Sequence, residues 1–155
     1  RFSKFSLELH LDKTELLDFR RPTQSQDAKP ATFDFLGFTH YWGAGKKGLL
    51  TIRRQTMSSR FQQGIAKLWE WCKMHLHLPI KEQHARISSK LRGHYGYFGY
   101  PENRRRLLEF LFRVKVTWKH WLNRRSNQST MTWERFAKYL QKYPLPEPTY
   151  RQYKA

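Results

Sequence analysis

Cysteine is all but missing from this sequence. Cys72 is the only one in 155 residues, so no internal disulfide can form and nothing points to an oxidising compartment; a cytosolic setting is expected. Long apolar runs are missing too. No stretch approaches the ~18 residues that would span a bilayer, and the N-terminal segment has no signal-peptide core. Carboxylates are scarce, with 12 Asp and Glu in all, and Asp12, Glu15, Asp18, Asp27 and Asp34 stand in the N-terminal third without an adjacent pair. Two-metal phosphoryl transfer needs clustered carboxylates, and none is visible. The G-x-S-x-G elbow of a serine hydrolase is also absent.

What is present in excess is positive charge. Lys and Arg number 30, for a net charge of +18, and residues 51–155 hold 22 of them against 6 carboxylates. Such a charge repels itself unless a polyanion neutralises it, so nucleic acid is the leading partner. Aromatic residues make up 16% of the chain and include six Trp, a content that disordered basic tails lack. The length suits one compact domain with a short β appendage. The chain opens on Arg1 rather than Met and is expected to be a piece of a longer polypeptide.

Residues 1–20 read as a helix end running into a strand near Thr14 to Phe19, followed by a Pro-rich polar loop. Residues 33–42 (FDFLGFTHYW) read as one strand and 49–54 (LLTIRR) as a second, with GAGKKG between them as a hairpin tip. From Thr56 the apolar period becomes helical. Ile65, Leu68, Trp69, Cys72 and Leu76 share a face; so do Ile87, Leu91, Tyr95 and Phe98; so do Leu107, Leu111, Val114, Trp118 and Trp121. Pro79 separates the first two helices, and Tyr100 to Asn103 the second from the third, with Asn103 as expected N-cap. A shorter fourth helix carries Trp133, Phe136, Ala137 and Leu140 on one face behind a Thr132 cap and stops at Tyr143-Pro144. The last residues, 144–155, are expected to be extended and loosely held.

Gly43-Ala44-Gly45-Lys46-Lys47-Gly48 matches G-x-G-x-x-G, but a dinucleotide site requires a helix after the glycines, and LLTIRR is strand-like. A hairpin tip with glycines at positive φ fits better, and Lys46 and Lys47 remain able to touch phosphate there. Cys72, His75, His77 and His84 have no standard zinc spacing. His75 and His77 fit a helix C-terminus, and Cys72 fits the core. Arg104, Arg105 and Arg106 fall in the first turn of the third helix, where cations oppose the macrodipole, so they are expected to serve phosphate rather than the helix. Arg92, His94 and Tyr97 belong to an aromatic, glycine-rich stretch suited to close approach of an RNA backbone and to stacking. Arg53, Arg54, Arg113, Lys115, Lys119, Arg124 and Arg125 extend the expected RNA-binding surface.

LELHLDKTELLDF followed by FDFLGFTHYW resembles the last two palm blocks of group II intron-type reverse transcriptases, and LRGHYGYFGYPENRRRL with RRSNQSTMTWERF resembles their thumb, the maturase-specific X domain. The likeness reaches Tyr143 and is closest to bacterial forms. It implies that Lys13 stands where such polymerases place a lysine that helps pyrophosphate leave, and that Phe35, Leu36, Gly37 and Phe38 form the hairpin gripping the primer end. It implies structured intron RNA and an RNA/DNA template-primer duplex as partners, with the remaining fingers and palm of the same polypeptide. The family's Y-x-D-D block would lie upstream of residue 1. Mg2+ is therefore implied only for that absent active site, no cofactor is expected in this chain, and the chain alone is expected to be inactive as a polymerase.

The expectation is an α+β chain: residues 1–54 as a palm remnant with a β-hairpin, 55–143 as a three- to four-helix thumb bundle, and 144–155 as a tail. A free-standing RNA-binding splicing cofactor is the main rival. A helix-turn-helix regulator fits poorly, since the helices are too long and their joints carry Pro. A membrane-surface role is disfavoured because the Trp residues lie on the inward stripes.

Overall fold

The computed structural model describes residues 3–6, 8, 10, 14, 16–22, 31–45, 48–125 and 130–151. The chain is α+β: strands β1 (Phe33–Phe35), β2 (Phe38–Ala44) and β3 (Leu50–Thr56) form an antiparallel sheet in that order. Helices α1 (Ser58–Met74), α2 (Ile80–Phe98), α3 (Arg104–Asn123) and α4 (Trp133–Lys142) follow. The strand expected near Thr14 to Phe19 is not formed among the described residues; Leu16 to Pro22 has no regular structure. Its contribution is instead aromatic, with Phe19 stacked on Trp42 and edge-on to Phe33.

The run 33–42 is not one strand. It folds back at Leu36 and Gly37, whose φ values of 47° and 78° are both positive, as a two-residue type I′ hairpin requires. Leucine rarely adopts this conformation, at a cost of about 1–2 kcal/mol, and the turn is held from two sides. The Tyr97 hydroxyl donates to the Leu36 carbonyl at 2.9 Å, and the Met57 amide to the Gly37 carbonyl at 2.9 Å. The β2–β3 connection does pass through the Gly-rich segment, but of its described glycines only Gly48 has positive φ; Gly43 lies within β2. Lys46 and Lys47 lie outside the described residues.

Among the contacts that join the sheet to the helices are those of Phe38 and Asn103. Phe38, buried, packs against Tyr97, Phe98 and Tyr100 with ring centroids 5.1–5.9 Å apart. Asn103 stands at the N-cap position of α3, but its side chain does not cap the helix. Its Oδ1 accepts from the Thr56 amide, and its Nδ2 donates to Thr56 Oγ1 and the Phe98 carbonyl, all at 2.8–2.9 Å. It joins the end of the sheet to the α2–α3 corner.

The helical core is centred on α3, with Leu107, Leu111, Val114 and Trp118 buried against Leu68 and Cys72 of α1 and Ile87, Leu91 and Tyr95 of α2. Trp69 and Trp133, placed on inward stripes by their spacing, are respectively 36% and 52% exposed; both sit on the flank of a stripe, where a large ring overruns the buried zone. Thr132 caps α4 as expected, its hydroxyl accepting from the Arg135 amide. The tail from Pro144 to Arg151 has no regular structure, yet it is packed rather than loose. Leu145 is buried, the Arg151 amide donates to the Gly99 carbonyl, and the Arg151 guanidinium donates to the Tyr100 hydroxyl and the Gly96 carbonyl. Gly99 makes the crossing feasible: a Cβ there would stand 2.4 Å from the Thr149 carbonyl oxygen.

Candidate nucleic-acid interface

Between α1 and α2 runs a groove, floored at its narrow end by Phe110 and Val114 of α3. Its wider end, about 550 Å³, is lined by the hairpin turn residues Leu36 and Gly37, by Arg60, Gln63, Gly64 and Lys67 of α1, and by His94, Tyr97 and Phe98 of α2. A narrower end, about 190 Å³, shares Gly64, Lys67 and His94 and adds Lys90 and the buried side chains Leu68, Ile87, Leu91, Phe110 and Val114. Arg60, Lys67 and Lys90 contribute three cations, and no carboxylate lines either part. Asp34 first appears in the adjoining recess beyond the hairpin.

Gly64 sets the depth. A Cβ there would meet the Phe110 ring at 2.9 Å, so the missing side chain lets that ring rise into the floor. His94 lies flat on Phe110, centroids 3.8 Å apart and planes within 5°. Burial pushes its pKa down to about 4 from 6.5, so at neutral pH it offers the groove a neutral imidazole and not a charge. Its buried Nε2 has no hydrogen-bond partner. The unfolded chain binds a proton at His94 near pH 6.5, and the folded chain resists doing so until about pH 4. Stability contributed here is complete above pH 6.5 and lost as pH falls toward about 4. In His94→Gln, the stability measured by urea unfolding is expected to fall less steeply across that window than in the wild type; equal slopes would refute the assignment.

The other expected RNA-binding residues do not form one patch. Arg53 and Arg54, adjacent in β3, point to opposite faces of the sheet, and the Arg54 guanidinium lies 3.6 Å over the Tyr100 ring. Arg92, Arg104, Arg105, Arg113, Arg124 and Arg125 are exposed and Lys115 is half-buried. They are spread along α2 and α3, the latter roughly 30 Å long. Arg106 has the structural role that its helix position had argued against: it donates to Glu109 at 3.0 Å and to Ser58 Oγ at 2.9 Å and covers the Phe61 ring. Opposition from the macrodipole is offset by these local partners. Lys119 lies over Trp133 and Arg124 over Trp121. Phe35 and Leu36 are exposed at the hairpin tip, whereas Phe38 is core. Lys13 lies outside the described residues.

Arg60, Gln63, Lys67 and Lys90 escaped the sequence reading. The signal was there: Arg60, Gln63, Gly64 and Lys67 follow i, i+3, i+4, i+7, a polar stripe interrupted by a helix-interior glycine. The Cys/His cluster is taken up structurally. Cys72 is buried, its thiol pushed up to about 12 by desolvation; His75, the C-cap of α1, donates from Nδ1 to the Trp71 carbonyl, and His84 donates from Nε2 to the Pro144 carbonyl, each at 2.8 Å. Among the described residues no group of three His, Cys, Asp or Glu side chains is placed to hold a metal ion, and no helix is long and apolar enough to cross a membrane.

No protein-family model matches this chain, and neither a curated protein nor a solved structure does.

Proposed function

We propose that the chain is an RNA-binding module equivalent to the thumb and maturase portion of a group II intron-type reverse transcriptase. The observation that carries this is the placing of the Phe35-to-Phe38 hairpin at the mouth of a groove lined by three cations and no carboxylate. The hairpin is clamped by Tyr97 and leads through β3 straight into α1, the order in which a primer-gripping hairpin would be followed by thumb helices. The remaining exposed cations along α2 and α3 suit phosphates on the outside of a structured intron RNA or a template-primer duplex. In this reading nucleotide chemistry and its Mg2+ belong to segments outside this chain.

Binding is then dominated by counterion release. A structured RNA should bind with log K falling linearly against log salt, with a slope of about −4 to −6 for five to seven phosphate contacts. Filter binding across a salt series measures it. Affinity that is absent at low salt, or insensitive to salt, would overturn the proposal.

A further inference from the structure

We infer that the groove between α1 and α2 receives an unpaired nucleotide of an RNA strand, with the strand's backbone passing close over Gly93. The inference rests on the RNA-binding reading and assigns that reading a specific subsite.

Shape is the first argument. The wide and narrow parts of the groove are continuous through Gly64, Lys67 and His94. A duplex presents a convex rod whose base faces are stacked away, and it can only lie across such a slot. An unpaired base is flat and can enter it. Lining chemistry is the second. The lining is aromatic and apolar, with Phe98 and with His94 lying on Phe110, while Arg60, Lys67 and Lys90 also line it. Aromatic platforms flanked by cations are how single strands are held, base on ring and phosphate on charge. Arg60 and Lys67 are two helical turns apart, roughly 10 Å along α1, so they address successive parts of a backbone rather than one ion. Asp34 beyond the hairpin repels phosphate, which directs the strand toward the Lys67 and Lys90 end.

Gly93 is the third argument. It lines neither part of the groove but stands exposed on α2 beside two residues that do, three positions after Lys90 and four before Tyr97. A glycine inside a helix costs about 1 kcal/mol relative to alanine. Gly64 repays that cost through a close approach within the chain, but a Cβ at Gly93, as at Gly96, would meet nothing within 4 Å. The fold makes no use of the missing side chain. A ligand backbone coming close to the helix would.

The test uses the full chain, a fluorescent oligouridine and a blunt RNA duplex of equal length, with anisotropy read across a salt series. Gly93→Leu has open space for its side chain and a better helix former, so its melting temperature should hold or rise while oligouridine affinity falls at least about tenfold. The triple variant Arg60→Gln, Lys67→Gln, Lys90→Gln should weaken oligouridine about tenfold to a hundredfold and shallow its salt slope by about 2, at about 0.7 per contact. A charge-matched control, Lys81→Gln, Arg135→Gln, Lys138→Gln, should weaken oligouridine much less, and the two triples should affect the duplex alike. If the wild type binds neither RNA, the RNA-binding reading itself falls. If it binds both, but Gly93→Leu leaves oligouridine binding unchanged or the groove triple weakens both RNAs equally, the groove inference alone falls.

Discussion

Asn103→Ala is expected to lower the unfolding free energy by about 2–4 kcal/mol, among the largest losses available from a single polar side chain here. The Thr56 amide is buried at the end of β3, and Asn103 Oδ1 is its acceptor. Alanine leaves that N–H unpaired where water does not reach, at about 1–3 kcal/mol, and also strands the Phe98 carbonyl and Thr56 Oγ1. Two companion substitutions separate the contributions. Thr56→Val keeps the backbone N–H bonded and removes only the hydroxyl, so a loss of about 1 kcal/mol is expected. Asn103→Asp keeps the acceptor but loses both donor functions and buries a charge, and should be at least as damaging as alanine. Urea unfolding of the three variants measures the series. An Asn103→Ala loss below about 0.5 kcal/mol would show that the sheet and the α2–α3 corner are joined by their other contacts, Phe38 with its aromatic neighbours and Arg54 on Tyr100, and not by Asn103.

The helices were legible because their physics is local and periodic: the stripes on α2 and α3 bury Ile87, Leu91, Tyr95, Leu107, Leu111, Val114 and Trp118 and half-bury Phe98 and Trp121, and Pro79, Pro101 and Thr132 stand at the ends where their backbone chemistry places them. The strands were less so. Leu36-Gly37 lacks the Asn-Gly or Asp-Gly signature of a tight hairpin, and only Tyr97 and the Met57 amide, distant in sequence from it, make a positive φ at leucine tolerable. Propensity alone ran a strand through the turn. The same limit explains Asn103. Its position reads as a cap, but which groups its amide reaches depends on a strand that ended 47 residues earlier.

The groove was legible only in part, for a related reason. Charge runs such as Arg104 to Arg106 attract attention in sequence, yet Arg106 is occupied by Ser58, Glu109 and Phe61. Isolated cations like Lys67 and Lys90, unremarkable along the chain, become significant when two helices face each other across a shared floor. That pairing is a property of the tertiary structure.

Gln83 shows the same dependence and supports the second large effect. It is buried at the start of α2, where its Nε2 lies 3.0–3.3 Å from the carbonyls of His75, Leu76 and Leu78, just past the last turn of α1, and its Oε1 accepts from Trp118 Nε1 at 2.9 Å. One side chain thus closes the α1–α2 corner and satisfies the indole of the most deeply buried tryptophan. Gln83→Leu, similar in volume, should cost about 2–4 kcal/mol, since the Trp118 N–H is left unpaired in the core and the corner carbonyls lose their donor. Gln83→Glu adds a dependence on pH that leucine cannot. A carboxylate still accepts from Trp118 but faces carbonyl oxygens, so only the protonated acid can replace the lost donor, and its pKa in the folded chain must lie above the unfolded value of about 4.3. The folded state therefore holds the proton more tightly. Relative to wild type, Gln83→Glu should be least destabilised below about pH 4 and should lose stability progressively as pH rises through the folded-state pKa. Comparing each variant with wild type at the same pH removes the opposite acid sensitivity contributed by His94. Urea midpoints for Gln83→Glu that track those of Gln83→Leu at every pH would show that the corner carbonyls do not feel the charge, and that Gln83 acts through Trp118 alone.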